Sequence, residues 1–379
     1  MEKIYLDNNA TTRTDPRVVE AMIPYFSENY GNPSSTLHQF GITAEVAVEK
    51  SIVGIAAFFS AKPSEVVITS GTTESINFAI KGIVEHFYPE KNHIVVSTIE
   101  HHATLEICKY LSERGVEVTY IGVNAEGYVD LEKLAESITA KTALVSIIAA
   151  NNEIGTVQDI SAISKIVKEK GALLHLDFAQ GTGRVGFDLS RGDADMMSFS
   201  AHKCHGPKGI GALLIREGLT KSIVPQILGG GQQNGLRGGT LNVPLIVGLY
   251  ETLNILVESG NAENTRIGKF QSILLDGILS KNKDIELNGP KEGRLVTNLN
   301  FLMNGIDTNK LIRSLRTIAF STGSACATKT NEPSHVLRAI GRSTKQARSS
   351  VRFGIGRFTT ETEIEFAIEE INKAIKNSY

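Results

Sequence analysis

The segment Ser198–Gly209 holds the residues best suited to covalent chemistry. Lys203 lies at its centre, with two histidines and two serines close by, between an apolar strand pattern and a Gly-containing turn. A lysine acts as nucleophile or base only when deprotonated, which requires a desolvated or cationic setting. The neighbouring hydroxyl and imidazole groups suit a phosphate. The alternative is a solvated surface lysine, as most lysines are.

A carboxylate and an anion-binding turn follow two other predicted strands. Asp177 ends the apolar run that begins at Ala172, and ligands of open α/β sheets bind at such strand ends. There it could pair with a protonated ring nitrogen, or it could cap a helix. In Thr69–Ser75, Gly71 permits close backbone approach and a helix N-terminus offers N–H groups to an anion. The alternative is that Thr72 or Thr73 caps that helix.

Two more polar segments stand at strand ends. Glu100-His101-His102 follows the run His93–Ser97, and an imidazole there could stack on a ring or move protons. Adjacent histidines point in different directions, so at most one is catalytic, and a structural histidine is the alternative. Asn151-Asn152-Glu153 follows the strand Ala143–Ala149 in the same way.

The three cysteines have different settings. Cys326 lies in a small, polar, Gly-containing stretch, so we expect Ser321–Pro333 to be a flexible loop with an exposed nucleophilic thiol. Cys108 fits a small buried residue of a helix. Cys204, beside Lys203, either packs in the core or has no part in the chemistry. An odd number of cysteines without a CxxC pair argues against disulfides and against a zinc ribbon. We expect a reduced, cytoplasmic setting without a structural metal.

Charge and hydropathy exclude some function classes. The chain has 379 residues and a net charge of -2, so composition favours neither nucleic acid nor an anionic membrane as partner. We identify no secretory signal at the start and no apolar run long enough to span a bilayer.

The elements that must position these residues alternate between strand and helix. This alternation, with apolar strands, predicts an α/β fold with a mostly parallel sheet covered on both faces. The seven predicted strands are Glu65–Thr69, His93–Ser97, Val116–Ile121, Ala143–Ala149, Ala172–Asp177, Met196–Ser200 and Gly211–Ile215. The helices predicted among them are Thr73–His86, Ala103–Arg114, Leu131–Ile138 and Ile160–Lys170.

The pattern changes near residue 257. A long helix, Ala262–Leu279, leads into shorter mixed elements and a last amphipathic helix, Glu361–Lys376. We therefore predict a large domain of residues 14–257 and a smaller α+β domain of residues 1–13 and 258–379.

Taken together, these motifs resemble the cysteine desulfurases of the class V aminotransferase family. The resemblance runs from Tyr5–Thr12 to Arg352–Phe358 through Gly31–Ser35, Asn151–Gly155 and Gly229–Gln232. The cysteine loop is similar to that of the longer-loop branch, which serves nitrogen fixation and iron–sulfur assembly. Thr322 replaces the usual first serine of Ser-Gly-Ser-Ala-Cys, Thr72 stands where alanine is usual, and Phe178 and Cys204 are atypical.

The resemblance implies fold type I of the enzymes that depend on pyridoxal 5′-phosphate (PLP), a homodimer, and a role for each matching residue. Lys203 would hold the cofactor covalently, and Cys326 would carry the persulfide. Asn152 and Arg352 would contact the substrate carboxylate. The implied cofactor contacts are His101 (stacked on the ring), Asp177 (ring nitrogen), Gln180 (ring hydroxyl), Thr73, Ser200 and His202 (phosphate), Thr240 (phosphate, from the second subunit), and Thr72 and Asn152.

The implied reaction converts L-cysteine to L-alanine and passes the sulfur to an acceptor protein. Lys203 removes the Cα proton, and the Cys326 thiolate attacks the substrate sulfur. A class V aminotransferase, a selenocysteine lyase and a non-enzymatic sulfur carrier are the alternatives. The acceptor could be an iron–sulfur scaffold, a tRNA-thiolation enzyme or a DNA-modification system.

Overall fold

The computed structural model describes residues 3–322 and 332–378. Cys326 and most of the predicted loop Ser321–Pro333 lie outside the described residues. The helices are α1 (Pro16–Met22), α2 (Pro24–Ser27), α3 (Gln39–Phe58), α4 (Thr72–Phe87), α5 (His102–Ser112), α6 (Leu131–Ser137), α7 (Ile160–Glu169), α8 (Val243–Leu279), α9 (Thr308–Ser314), α10 (His335–Ala339), α11 (Thr344–Arg348) and α12 (Glu361–Lys376).

All seven predicted strands are present, with ends within two residues of those expected from the sequence. The strands are β1 (Ile4–Tyr5), β2 (Val66–Thr69), β3 (His93–Ser97), β4 (Glu117–Ile121), β5 (Thr142–Ile148), β6 (Leu173–Asp177), β7 (Met196–Ser200), β8 (Gly211–Ile215), β9 (Ile285–Leu287), β10 (Asn298–Met303), β11 (Ile318–Ala319), β12 (Ser321–Thr322) and β13 (Ser350–Gly354).

The central sheet is seven-stranded and mostly parallel, as predicted. Its order is β2-β8-β7-β6-β5-β3-β4, and only β8 runs antiparallel to its neighbours. Strands β2, β3, β5, β7 and β8 are buried along their whole length, and β6 is buried at every residue but its first, which requires cover on both faces. Chain order reverses between β3 and β5, and such a switch point opens a crevice at the carboxyl ends of the strands.

A second sheet has the order β12-β13-β10-β9 and its own apolar core. That core also contains Ile4 and Leu6, because β1 pairs in parallel with β11 far along the chain. These residues belong to the predicted small domain, and the division at residue 257 stays a prediction.

The predicted start of the long helix at Ala262 is wrong. Helix α8 begins at Val243, where the Asn242 side chain caps it and a proline occupies the first turn. Ser259, Gly260 and Asn261 have low helix propensity, which favours a break at this point of the sequence. Packing of α8 against α3 and α1 overrides that preference, so the helix continues across residue 257.

No helix among residues 3–322 and 332–378 is long and apolar enough to cross a membrane. In the same residues, no group of three His, Cys, Asp or Glu side chains is placed to hold a metal ion.

Candidate active site

A basin of about 430 Å³ opens at the carboxyl ends of the central strands. It includes residues that follow β2, β3, β5, β6 and β7, because parallel strands end at the same edge of the sheet. Nine of the predicted site residues line it: Thr72, Thr73, His101, Asn152, Asp177, Gln180, Ser200, His202 and Lys203.

Lys203 reaches the basin from a short 3₁₀ turn, Ala201–Lys203, directly after β7. Its Nζ donates hydrogen bonds to the backbone carbonyls of Asn9 at 2.9 Å and Ala10 at 2.8 Å. The N-terminal segment therefore fixes the amine at the wall of the basin.

Asp177 is buried in the basin with 3% of its surface exposed. Its Oδ1 accepts a hydrogen bond from the backbone N–H of Ala179 at 3.0 Å. Burial raises the pKa of this carboxyl to about 6, although the Ala179 bond and the charge of Lys203 act to lower it. The alternative that Asp177 caps a helix is wrong, because a turn and no helix follows β6.

The N-terminus of α4 faces the same basin without a side-chain cap. Gly71 is the capping residue and has a φ of +147°, which a residue with a side chain rarely adopts. The Oγ1 of Thr72 and the Oγ of Ser200 are buried and have no hydrogen-bond partner in the described structure. Capping by Thr72 or Thr73, the alternative for this turn, is therefore wrong.

Two neutral imidazoles complete this wall. The Nδ1 of His101 accepts from the backbone N–H of Ala103 at 3.1 Å, so the ring proton lies on Nε2. Burial, with the charge of Lys203 as a smaller cause, lowers the pKa of His101 to about 4. His202, whose Nδ1 lies 3.1 Å from the Oγ1 of Thr11, has its pKa lowered to about 4 for the same reasons.

Gln180 and Asn152 line the basin, whereas Arg352 lies behind Asn152. The Nε2 of Gln180 donates to the carbonyl of Asn9 at 2.9 Å. Arg352 is absent from the basin wall, and its Nη1 donates to the carbonyl of Asn152 at 3.1 Å. Substrate contact by Arg352 therefore stays a prediction.

Thr240 is exposed and does not line the basin of its own chain. The expectation that it serves a second subunit stays a prediction, because one chain cannot test it. Cys108 and Cys204 are buried, and burial raises the pKa of each thiol to about 12. The interpretation of Cys108 as a packed residue is confirmed, and Cys204 is packing as well.

Comparison with known proteins agrees with this geometry. The family "Aminotransferase class-V" matches residues 4–366. The cysteine desulfurase IscS of Rickettsia bellii (strain OSU 85-389) is 45% identical over 97% of this chain and 90% of its own. The cysteine desulfurase IscS of Methylobacillus flagellatus (strain ATCC 51484 / DSM 6875 / VKM B-1610 / KT) is 46% identical over 98% of this chain and 92% of its own. The chain belongs to the cysteine desulfurases of the class V aminotransferase family.

Solved structures place the fold in the same family. A NifS-like protein superposes with a TM-score of 0.92 at 39% identity, over 99% of this chain and 100% of that one. A structure described as SspA in complex with cysteine gives a TM-score of 0.83 at 35% identity, over 94% and 100%. The predicted fold class and the resemblance to desulfurases are thereby confirmed.

Sequence reasoning missed several residues of the desulfurase basin. Thr11 lines it, and the Asn9 side chain donates to Gln180 Oε1 at 3.2 Å, so the N-terminal segment belongs to the site. Glu100 is fully buried beside it and accepts from Ser97 Oγ at 2.5 Å and Ile148 N at 2.7 Å. Burial raises the pKa of Glu100 to about 8. The N-terminal motif was visible in the sequence, but its position beside Lys203 depends on tertiary structure.

Proposed function

We propose that this cysteine desulfurase binds PLP in the basin and converts L-cysteine to L-alanine, passing the sulfur through Cys326 to an acceptor protein. The observation that carries the proposal is the set of unsatisfied groups in one cavity. The hydroxyls of Thr72 and Ser200, which have no hydrogen-bond partner in the described structure, face the same space as Asp177 and Lys203. The N-terminus of α4, which has no side-chain cap, faces this space as well.

A phosphate fits the first part of this set. Helix N-termini bind anions through free N–H groups and the helix dipole, and α4 presents such an end without a competing side-chain cap. Thr72 and Ser200 offer hydroxyl donors that otherwise have no use. Thr73 and His202 stand beside them in the wall.

A pyridine ring with a protonated nitrogen fits the second part. Asp177 is a fully buried carboxylate, and an N–H⁺ partner would offset the burial that raises its pKa. His101 is uncharged at neutral pH, so its ring can stack on another ring without bringing a second cation beside Lys203. Gln180 would donate to the ring hydroxyl.

When bound, PLP supplies an electron sink for the charge that forms at the substrate Cα. Lys203 is the base that removes the Cα proton, a role worth about 10²–10⁴-fold in rate. The Cys326 thiolate attacks the substrate sulfur, and the C–S bond breaks with its electron pair left on the substrate carbon. Protonation of Cβ, where the C–S bond broke, and return of a proton to Cα yield L-alanine, and Cys326 keeps the sulfur as a persulfide.

Arg352 and Asn152 would recognise the substrate carboxylate. Guanidinium groups bind carboxylates in a planar, bidentate manner, and Asn152 lines the basin directly in front of Arg352.

We also propose a homodimer in which Thr240 contacts the phosphate of the partner's site. Exposed apolar surface supports an interface, since monomeric proteins rarely expose large apolar patches. Residues 19–53 carry a concentration of such side chains, which are Val19, Ile23, Phe26, Tyr30, Leu37, Phe40, Ile42, Val46 and Val53. Leu228, next to the loop that carries Thr240, is 83% exposed.

The acceptor is an iron–sulfur scaffold or another thiolation protein, and the relatives named IscS favour the first. The deciding experiment incubates the PLP-loaded protein with L-cysteine and dithiothreitol and quantifies alanine and sulfide. Equal amounts of both are expected. An amino-group transfer to an oxo acid without sulfide would identify an aminotransferase instead.

A further inference from the structure

Arg352 is almost fully enclosed, with 4% of its side chain exposed, and it already holds a carboxylate. Its Nη2 donates to Asp7 Oδ1 at 2.9 Å and to Ser321 Oγ at 3.1 Å. Ser321 in turn donates to the same Asp7 oxygen at 2.7 Å. One carboxylate, one hydroxyl and one guanidinium thus form a closed polar cluster.

Backbone pairing fixes this cluster. Ser321 is the register partner of Arg352 between β12 and β13, and Asp7 forms a parallel bridge with Gly354 two residues further along β13. The three side chains therefore meet because three chain segments of distant sequence are paired, rather than through chance surface contact.

The match between Asp7 and Arg352 is incomplete. A carboxylate that satisfies a guanidinium takes two parallel N–H bonds, whereas the Asp7 contact uses Nη2 alone. In the described residues the buried Nε of Arg352 has no hydrogen-bond partner. Asp7 neutralises the arginine but leaves one of its donors unused.

We propose that Asp7 is an internal counter-ion that competes with the substrate α-carboxylate for Arg352, and so sets the affinity of the site for carboxylate-bearing ligands. The inference rests on the proposed function, which assigns Arg352 to the substrate carboxylate. A ligand that must displace an internal partner binds more weakly than its direct contacts would allow, because only the released fraction of the protein is competent.

A second buried carboxyl group, that of Glu153, lies within the electrostatic reach of Arg352. Glu153 is 6% exposed, and Ser334 Oγ donates to its Oε2 at 2.5 Å. Burial raises the pKa of Glu153 to about 7, while Ser334 and the charge of Arg352 act to lower it. The charge of Arg352 thus acts on a second carboxyl group besides Asp7.

Calorimetric binding of the product L-alanine to the PLP-loaded protein tests the proposal. L-Alaninamide, which lacks the carboxylate, is the matched probe. Asp7→Asn keeps the shape and the acceptor oxygen but removes the charge, so L-alanine should bind about tenfold more tightly. L-Alaninamide should change by less than about twofold. A purely structural role of Asp7 would change both ligands together.

Asp195→Asn is the control, since Asp195 pairs with Arg216 at 2.7 Å outside the basin and is buried to a similar degree as Asp7. It should leave both affinities unchanged. Weaker L-alanine binding by Asp7→Asn would overturn the proposal and make Asp7 a residue that orients Arg352. If Asp7→Asn does not fold, Asp7→Ser serves with the same expected and opposing results.

Arg352→Lys separates this proposal from the function it rests on. Loss of L-alanine affinity in Arg352→Lys, together with a gain in Asp7→Asn, supports both. If Arg352→Lys binds L-alanine as the wild type does, Arg352 does not contact the substrate carboxylate and the competition proposal fails with that assignment. If Arg352→Lys loses affinity but Asp7→Asn gains none, only the competition is wrong.

Discussion

Two aspartates of this protein have almost no exposed surface, yet their pKa values are shifted in opposite directions. Asp177 is 3% exposed and Asp15 is 2% exposed. Burial raises the pKa of Asp177 to about 6, whereas hydrogen bonds from Arg17, and next from Arg357, hold the pKa of Asp15 far below its ordinary value. Hydrogen bonds from guanidinium groups outweigh burial at Asp15, whereas burial is the dominant cause at Asp177.

The surroundings of Asp15 form an ion-pair cluster whose carboxylates are all paired with guanidinium groups, although the buried Nη2 of Arg357 has no hydrogen-bond partner in the described structure. We call Asp15, Arg17, Arg184, Glu263 and Arg357 the Asp15 cluster. Its contacts include Arg357 Nη1 to Asp15 Oδ2 at 2.8 Å and Arg357 Nε to Glu263 Oε2 at 2.6 Å. The basin around Asp177 contains two buried hydroxyls, those of Thr72 and Ser200, that have no hydrogen-bond partner in the described structure. We therefore expect the Asp15 cluster to contribute mainly to stability and the basin to bind a ligand.

The largest expected effect comes from Lys203→Ala. Turnover should fall at least about 10³-fold, because the proposed function makes Lys203 both the covalent attachment of the cofactor and the base. The visible absorbance of bound PLP should disappear, while the folded structure persists by circular dichroism. Lys109→Ala, on the exposed face of α5, is the control and should change nothing. Retained absorbance and turnover in Lys203→Ala would contradict the assignment.

Cys326→Ser should stop sulfide release while the protein still binds PLP and still responds spectrally to L-cysteine. The thiols of Cys108 and Cys204 are neutral and enclosed, so they cannot replace it. Cys108→Ala is the control and should keep normal turnover. Normal sulfide release by Cys326→Ser would remove the persulfide role.

Mixing subunits tests whether Thr240 acts across a dimer interface. Lys203→Ala and Thr240→Ala parents should each be poorly active, but each mixed dimer would contain one site free of both changes. Random mixing should restore roughly a quarter of wild-type activity, since half of the dimers are mixed and each has one intact site. A mixture no more active than its parents would show that Thr240 acts in its own subunit.

Asp177→Asn and Asp15→Asn should separate ligand binding from stability. Asp15→Asn breaks a buried ion-pair cluster, so we expect a loss of about 3–5 kcal/mol in unfolding free energy with little change in PLP affinity. Asp177→Asn should weaken PLP binding and turnover without destabilising the cofactor-free protein. Chemical denaturation and PLP titration measure the two effects, and equal loss of stability in both variants would erase the contrast.

The pH dependence of stability should differ in sign between the two sites. The folded pKa of Asp177 lies above its ordinary 3.8, so its contribution to the stability of the cofactor-free protein is present below pH 4 and lost as the pH rises through about 6. The folded pKa of Asp15 lies below 3.8, so its contribution is present above that pH and lost as the pH falls. Comparing each Asn variant with the wild type between pH 3 and 7 isolates the two contributions.

The sequence predicted the residues of the basin better than those of the Asp15 cluster. Lys203, Asp177 and His101 each follow an apolar strand, and the ends of neighbouring strands meet at one edge of a sheet. The Asp15 cluster and the Asp7–Arg352 pair join residues far apart in the chain, and no local pattern encodes such pairings. The start of α8 was missed because helix propensity is weak compared with tertiary packing.

The smallest expected effects concern the hydroxyls of Thr72 and Ser200. They test most directly whether the basin, unlike the Asp15 cluster, binds a ligand. Thr72→Val and Ser200→Ala each remove one buried hydroxyl that has no hydrogen-bond partner in the described structure. If these groups await a phosphate, each variant should lose about 1.5 kcal/mol of PLP affinity, which is about tenfold, because hydrogen bonds to charged groups are worth that much. The cofactor-free protein should be as stable as the wild type or slightly more stable, since an unsatisfied buried group is removed.

Thr252→Val is the control, because its buried hydroxyl already donates to Gly248 O at 2.7 Å and its loss should reduce stability rather than PLP affinity. Dissociation constants from PLP titration, paired with unfolding curves of the cofactor-free proteins, measure both quantities. Unchanged PLP affinity in both variants would mean that the phosphate is bound elsewhere in the basin.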